Sequence, residues 1–168
     1  MVSVAIKMKQ LLLIRHAKSS WKFPELDDHE RPLNKRGQRD TLAMARHLAD
    51  KDPQLDVIYS STATRALDYA QILSEYTYAS LIPDLSFYTF SDFELLEILK
   101  NLPDNADSVA VVAHNPAITQ VVNQLCASNI SNVPTSAIVS VDCDIASWQE
   151  LDSSFCELVY FDYPKMLK

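Results

Sequence analysis

Leu11-Leu12-Leu13-Ile14 runs directly into Arg15 and His16. A buried strand has no packing use for a cation and an imidazole at its end. In an open parallel sheet, however, ligands bind outside the carboxyl ends of the strands. There Arg15 can pair bidentately with an oxyanion, and a neutral His16 can attack phosphorus. Two later strand ends repeat the theme: Tyr59-Ser60-Ser61-Thr62-Ala63-Thr64 leads to Arg65, and Val109 to Ala113 leads to His114-Asn115-Pro116. Arg65 falls off the apolar stripe of its helix. At that N-terminus an arginine opposes the macrodipole at a cost of about 0.3–1 kcal/mol, a sign that a bound anion reverses. Taken singly, each residue reads as an ion-pair or core residue. Together, two arginines and two histidines at the ends of three strands read as one phosphate-handling constellation.

The elements that must position them alternate between apolar runs and amphipathic runs, the pattern of an α/β domain. Gln10–Ile14 reads as the first strand. Asn34 is the N-cap of a helix to about Lys51, with Leu42, Ala45, Leu48 and Ala49 on one face. Leu55–Tyr59 is the second strand; Ser61 or Thr62 caps a helix to about Tyr76, striped by Ala63, Ala66, Leu67, Ala70 and Leu73. Ser80–Pro83 is a short strand. Ser91 to Glu94 is a capping box opening a helix to Leu102, stopped by Pro103. Val109–Ala113 is a buried strand; Asn115 caps and Pro116 opens a helix to about Ala127. Ala137–Cys143 and Glu157–Tyr163 close the pattern as an antiparallel edge. No repeat or linker interrupts residues 1–168, which read as a single domain.

Composition narrows the chemistry. The 168-residue chain has a formal net charge of −7 and no basic block, which argues against a nucleic-acid surface. It contains a single glycine, Gly37, so a glycine-rich phosphate loop is excluded, and side chains and helix N-termini must do the binding. No apolar run approaches the roughly 20 residues of a membrane span, and the first seven residues are too weakly apolar for a secretory signal. They are expected to be dispensable, with Met8 an alternative start to Met1. Three cysteines, Cys126, Cys143 and Cys156, without C-x-x-C spacing, fit reduced thiols in a cytoplasmic protein. No His-x-Glu or His-x-x-x-His spacing supports a metal site, and arginines facing phosphate would repel a cation. No metal or other cofactor is expected, and His29 and His47 stand outside the constellation.

The spaced motifs resemble the histidine phosphatase superfamily, named for its Arg-His-Gly signature, and within it the short SixA-type phosphohistidine phosphatases. The resemblance is carried by Leu13-Ile14-Arg15-His16, Arg31-Pro32-Leu33-Asn34 followed by Gly37, Tyr59-Ser60-Ser61 with Arg65, Val112-Ala113-His114-Asn115-Pro116, and Thr135-Ser136-Ala137-Ile138. It implies a three-layer α/β sandwich, phosphoglycerate-mutase-like, with a mostly parallel central sheet and helices on both faces. It implies that His16 is the nucleophile and that Arg15, Arg65 and His114 complete the catalytic pocket, His114 adding a third positive donor if protonated. Ser19 matches a position that contacts phosphate, and Arg31 is a further substrate-binding candidate, against which stands simple pairing with Asp27 or Asp28. The sequence departs at Ala17, where the family has glycine; a left-handed conformation there would strain an alanine.

The leaving group separates the functional alternatives. An alkoxide needs a general acid, whereas imidazole, with a pKa near ~6.5, leaves readily. Asp92 is the acid candidate in the mid-chain segment Leu85–Asp92, but a carboxylate beside Ser91 is also explained by the helix N-terminus. A weak case for an acid agrees with a phosphohistidine on a partner protein of the histidine-phosphotransfer kind, and the short chain leaves little room for a capping insertion over the pocket. A small-molecule phosphomonoesterase and a catalytically silent phosphoprotein-binding module are the alternatives. No nucleic acid or membrane partner is expected.

Overall fold

The computed structural model describes residues 8–168; the expectation that the first seven are dispensable lies outside the described residues. In chain order the elements are β1 (Lys9–Arg15), α1 (Lys35–Asp50), β2 (Val57–Ser60), α2 (Thr64–Thr77), β3 (Ser80–Pro83), α3 (Asp92–Lys100), β4 (Ser108–Ala113), α4 (Ala117–Cys126), β5 (Ile138–Cys143) and β6 (Cys156–Asp162). The strands form one six-stranded sheet in the order β3-β2-β4-β1-β5-β6. β1 to β4 are mutually parallel, and β5 runs antiparallel to both β1 and β6.

The unbroken apolar run of β1 follows from its place near the sheet centre, where both faces are covered. Leu11 and Leu13 enter one core with Leu95, Leu99, Ile118, Val121 and Val122 of α3 and α4. Leu12 and Ile14 enter the other with Met44, Leu48, Ala66, Tyr69 and Leu73 of α1 and α2. The strand period of two thus divides β1 between two helical layers, and the fold is the expected three-layer α/β sandwich with a mostly parallel sheet.

Local departures have tertiary causes. Leu42, expected on the buried face of α1, is 43% exposed, while Gly37, Thr41, Met44, Ala45 and Leu48 are buried. Gly37 sets this rotation: a Cβ there would lie 2.1 Å from the Lys18 carbonyl oxygen, so the glycine must face the backbone that follows His16. Asn34 caps α1 as expected, its side chain accepting from the Gly37 amide at 2.8 Å. The cap of α2 is Ala63, without a side-chain bond, so the helix starts later than expected; Ser61, two residues earlier, accepts from the Ala63 amide at 3.2 Å. Leu67 is only half-buried, and Arg65 instead shares the buried face with Ala66, Tyr69, Ala70 and Leu73, correcting its placement off the stripe. At α3, Ser91 accepts from the Glu94 amide at 3.2 Å, but the Glu94 carboxylate accepts from Thr89 rather than closing a capping box. Across the β5–β6 edge, Cys143 and Cys156 are register partners with unbonded sulfurs 3.5 Å apart. Among the described residues no helix is long and apolar enough to cross a membrane.

Candidate active site

Parallel direction and register bring the three strand ends to one edge. Arg15 pairs with Ala113, and Ser60 with Val112. One step beyond, the His16 amide donates to the Ala113 carbonyl at 3.0 Å and the Ser61 amide to the Val112 carbonyl at 2.9 Å. His16, Ser61 and His114 therefore emerge side by side at the carboxyl ends of β1, β2 and β4. The rings of His16 and His114 lie 5.1 Å apart.

Arg15, the last residue of β1, donates through Nη1 to the Val133 carbonyl at 3.0 Å. Arg65, only 2% exposed, enters from the first turn of α2. It donates to the Asp28 carbonyl at 2.6 Å and the Asp28 carboxylate at 3.0 Å, and its Nη2 approaches His114 Nδ1 at 3.4 Å. Both Arg15 and Arg65 keep a buried Nε–H without a protein acceptor. Two such donors in one cluster carry a desolvation cost of the kind an anion relieves.

The loop after His16 is held by α1 and by a short backbone pairing. The Asn34 amide donates to the Lys18 carbonyl, the Ser20 amide to the Pro32 carbonyl, and Ser19 pairs with Leu33. This pairing sets Arg31 against Ser19, whose Oγ accepts from Arg31 Nη1 at 2.6 Å. Arg31 also donates to Asp28 at 3.1 Å, the pairing weighed from sequence, and stacks on Trp21 with its guanidinium 3.6 Å from the ring centre. Ala17 is fully buried and is not among the residues with positive φ, so alanine is unstrained there. Ser136 does adopt positive φ, 66°, and its amide reaches the Arg15 and His16 carbonyls at 3.2 and 3.0 Å. Asp92 is placed elsewhere: its carboxylate accepts from Gln124 of α4.

Asp28 was visible in the sequence only as a partner for Arg31. In the structure it joins Arg31, Arg65 and the Tyr88 hydroxyl, which donates to it at 2.6 Å. Burial opposes ionisation of Asp28, but the bonds from Tyr88, Arg65 and Arg31 hold it well below the usual carboxylate range. Sequence reasoning also missed Ser61, which sits 2.7 Å from His114 Nε2, and Thr62, which sits 2.7 Å from His29 Nε2. Tyr88 and Phe90, each with a ring 5.3 Å from that of His114, were legible only as neighbours of the acid candidate.

The imidazoles are held neutral. Burial, then the charges of Arg65, Arg15 and Arg31, lower His16 to about 3 against a countervailing bond to the Ala17 carbonyl. Burial, then His16 and Arg65, lower His114 to about 2; without a bound anion His114 is thus a neutral group, not a third cation. Because the unfolded chain takes up these protons near pH 6.5 and the native one does not, stability is present above that pH and is lost as pH falls towards 3. The loss at pH 5 is on the order of 2 kcal/mol per histidine. Urea midpoints are therefore expected to drop between pH 7 and pH 5, and to drop less in His114→Gln. Identical pH profiles for the two proteins would refute the assignment.

A sequence model of the histidine phosphatase superfamily (branch 1) matches residues 11–106. An uncharacterised protein of Mycobacterium leprae is 29% identical over 167 residues, spanning 90% of this chain and 100% of its own. Among solved structures, the SixA protein of Agrobacterium tumefaciens superimposes with a TM-score of 0.79 at 25% identity, over 93% of this chain and 98% of that one. A protein histidine phosphatase SixA complexed with tungstate shares the fold at 22% identity and a TM-score of 0.77, over 95% and 99% of the two chains. The motif set, the strand-end site and the family match agree: the chain belongs to the histidine phosphatase superfamily, branch 1, and its fold is that of the SixA proteins.

Proposed function

We propose that this protein is a phosphohistidine phosphatase, taking the phosphoryl group of a histidine-phosphotransfer-like protein onto His16 and passing it to water. One observation carries the reading: a neutral imidazole oriented among three arginines. His16 Nδ1 lies 2.8 Å from the Ala17 carbonyl, an acceptor, so Nδ1 holds the proton and Nε2 keeps its lone pair.

In the first step the Nε2 lone pair forms a bond to phosphorus as the substrate's P–N bond breaks. A substrate ring protonated at its other nitrogen leaves as neutral imidazole and needs no acid from the protein. Water then attacks phosphorus, the Nε2–P bond electrons return to His16, and inorganic phosphate departs with the remaining water proton passing to solvent. The Nδ1–H to Ala17 bond makes His16 a neutral leaving group in this second step. Arg15 and Arg65 offer their unpartnered Nε–H groups to the non-bridging oxygens. Ser19, whose Oγ accepts from Arg31, has its own O–H free to donate. An arriving phosphate favours protonation of His114 beside it.

The acid inventory supports phosphoramidate over ester cleavage. Among the carboxylates and Tyr88, Asp28 is ionised and tied to two arginines, the Tyr88 hydroxyl donates a hydrogen bond to Asp28, and Asp92 binds Gln124. This leaves His114, protonated only beside a bound phosphate, as the one acid at the site. A general acid is worth about 10²–10⁴-fold to an alkoxide leaving group. Phosphate release from a phosphorylated histidine-phosphotransfer protein is therefore expected at least about 100-fold faster than from a phosphoserine peptide. Equal rates, or faster release from phosphoserine, would favour the phosphomonoesterase.

A further inference from the structure

Where the sequence suggests an acid, the segment beside the site is aromatic. Tyr88 meets His114 edge-on at 80° and is pinned through its hydroxyl to Asp28 and through its ring to His29, 4.8 Å away. Phe90 leans on His114 at 52° and touches Tyr88 at 5.5 Å. Phe90 belongs to neither hydrophobic core and is 46% exposed. One side of its ring is spent on the site, and much of the rest faces solvent. The loop is held in place: Thr89, buried, donates to Glu94 and accepts from the Ser91 amide at 3.2 Å. Asp92 and Glu94, the nearby carboxylates, are turned to Gln124 and Thr89.

We infer that Phe90 is the leaving-group subsite: the imidazole of the incoming phosphohistidine lies against the open part of the Phe90 ring while its phosphorus faces His16. The inference rests on the phosphohistidine reading and names what in this site distinguishes that substrate from an ester. A planar aromatic leaving group presents a face to Phe90, whereas a serine or sugar alkoxide presents none. The ring also covers the departing nitrogen from water where no protein acid is needed. Phe90 thus acts on the part of the substrate that leaves, and the arginines act on the part that stays.

The test separates the ring from the bond that is broken. Phosphohistidine and phosphoramidate share a P–N bond, but only phosphohistidine carries an aromatic leaving group. The ratio of their kcat/KM values is measured for the wild type, Phe90→Leu, which keeps apolar bulk against His114 and Tyr88, and Phe90→Tyr, which keeps the ring. The phosphohistidine preference is expected to fall roughly threefold to tenfold in Phe90→Leu and to survive in Phe90→Tyr. An unchanged ratio in Phe90→Leu, or an equal fall in both variants, overturns the subsite and leaves the phosphatase reading standing. A wild type that cleaves p-nitrophenyl phosphate but neither P–N substrate overturns that reading and the subsite with it.

Discussion

His16→Ala is expected to lower turnover of a phosphohistidine protein by about 10³-fold or more, as loss of a covalent nucleophile does elsewhere. Affinity for inorganic phosphate, which is held without a bond to His16, is expected to survive, because the Nε–H donors of Arg15 and Arg65 belong to other side chains. The two readouts distinguish chemistry from binding. A merely structural His16 would weaken both; a silent binding module would show no turnover in either protein. Trapping after brief mixing is the complementary measurement: wild type is expected to carry one acid-labile phosphoryl group at His16, absent from the variant. Wild-type turnover without any such adduct, or an equal rate in His16→Ala, sinks the covalent mechanism.

Gly37→Ala is expected to destabilise the fold by about 2 kcal/mol or more, although it adds a good helix former. The helix gains about 1 kcal/mol from the replacement. Against that, the new Cβ meets the Lys18 carbonyl oxygen at 2.1 Å, a backbone atom that cannot swing aside. Either α1 moves off the loop or the loop moves off α1, and both break the Asn34 amide bond to Lys18 that holds the backbone after His16. Urea unfolding reads the stability loss, and turnover is expected to fall with it as Ser19 and Arg31 shift. A variant as stable as wild type would show that the contact is softer than it stands.

Legibility followed physical range. β1, β4 and β3 were readable nearly to the residue, because apolar runs between turn residues are local signals. Helix existence was equally plain, but helix rotation was not. Leu42 looked inward by periodicity alone, and only the contact of Gly37 with Lys18, nineteen positions earlier in the chain, rolled it outward. Arg65 faces inward for the same kind of reason: its guanidinium is held by Asp28, thirty-seven positions earlier in the chain. Ser61 lies two residues before the cap of α2, its hydroxyl accepting from the Ala63 amide at 3.2 Å while also meeting His114, a partner remote in the chain.

The sequence by itself determined which residues could gather. Arg15 ends a strand and His16, Arg65 and His114 each follow one, and strands that run parallel end at one edge, so their meeting is implied by topology. What only the tertiary structure decided is their state. Packing buries the imidazoles among guanidinium groups and so keeps them neutral; the Ala17 carbonyl selects which nitrogen of His16 bears the lone pair. It also turned Asp92 to Gln124 and brought Asp28, Tyr88 and Phe90 to the site. Charge state and orientation arise from desolvation and from partners remote in the chain, and neither is written in local spacing.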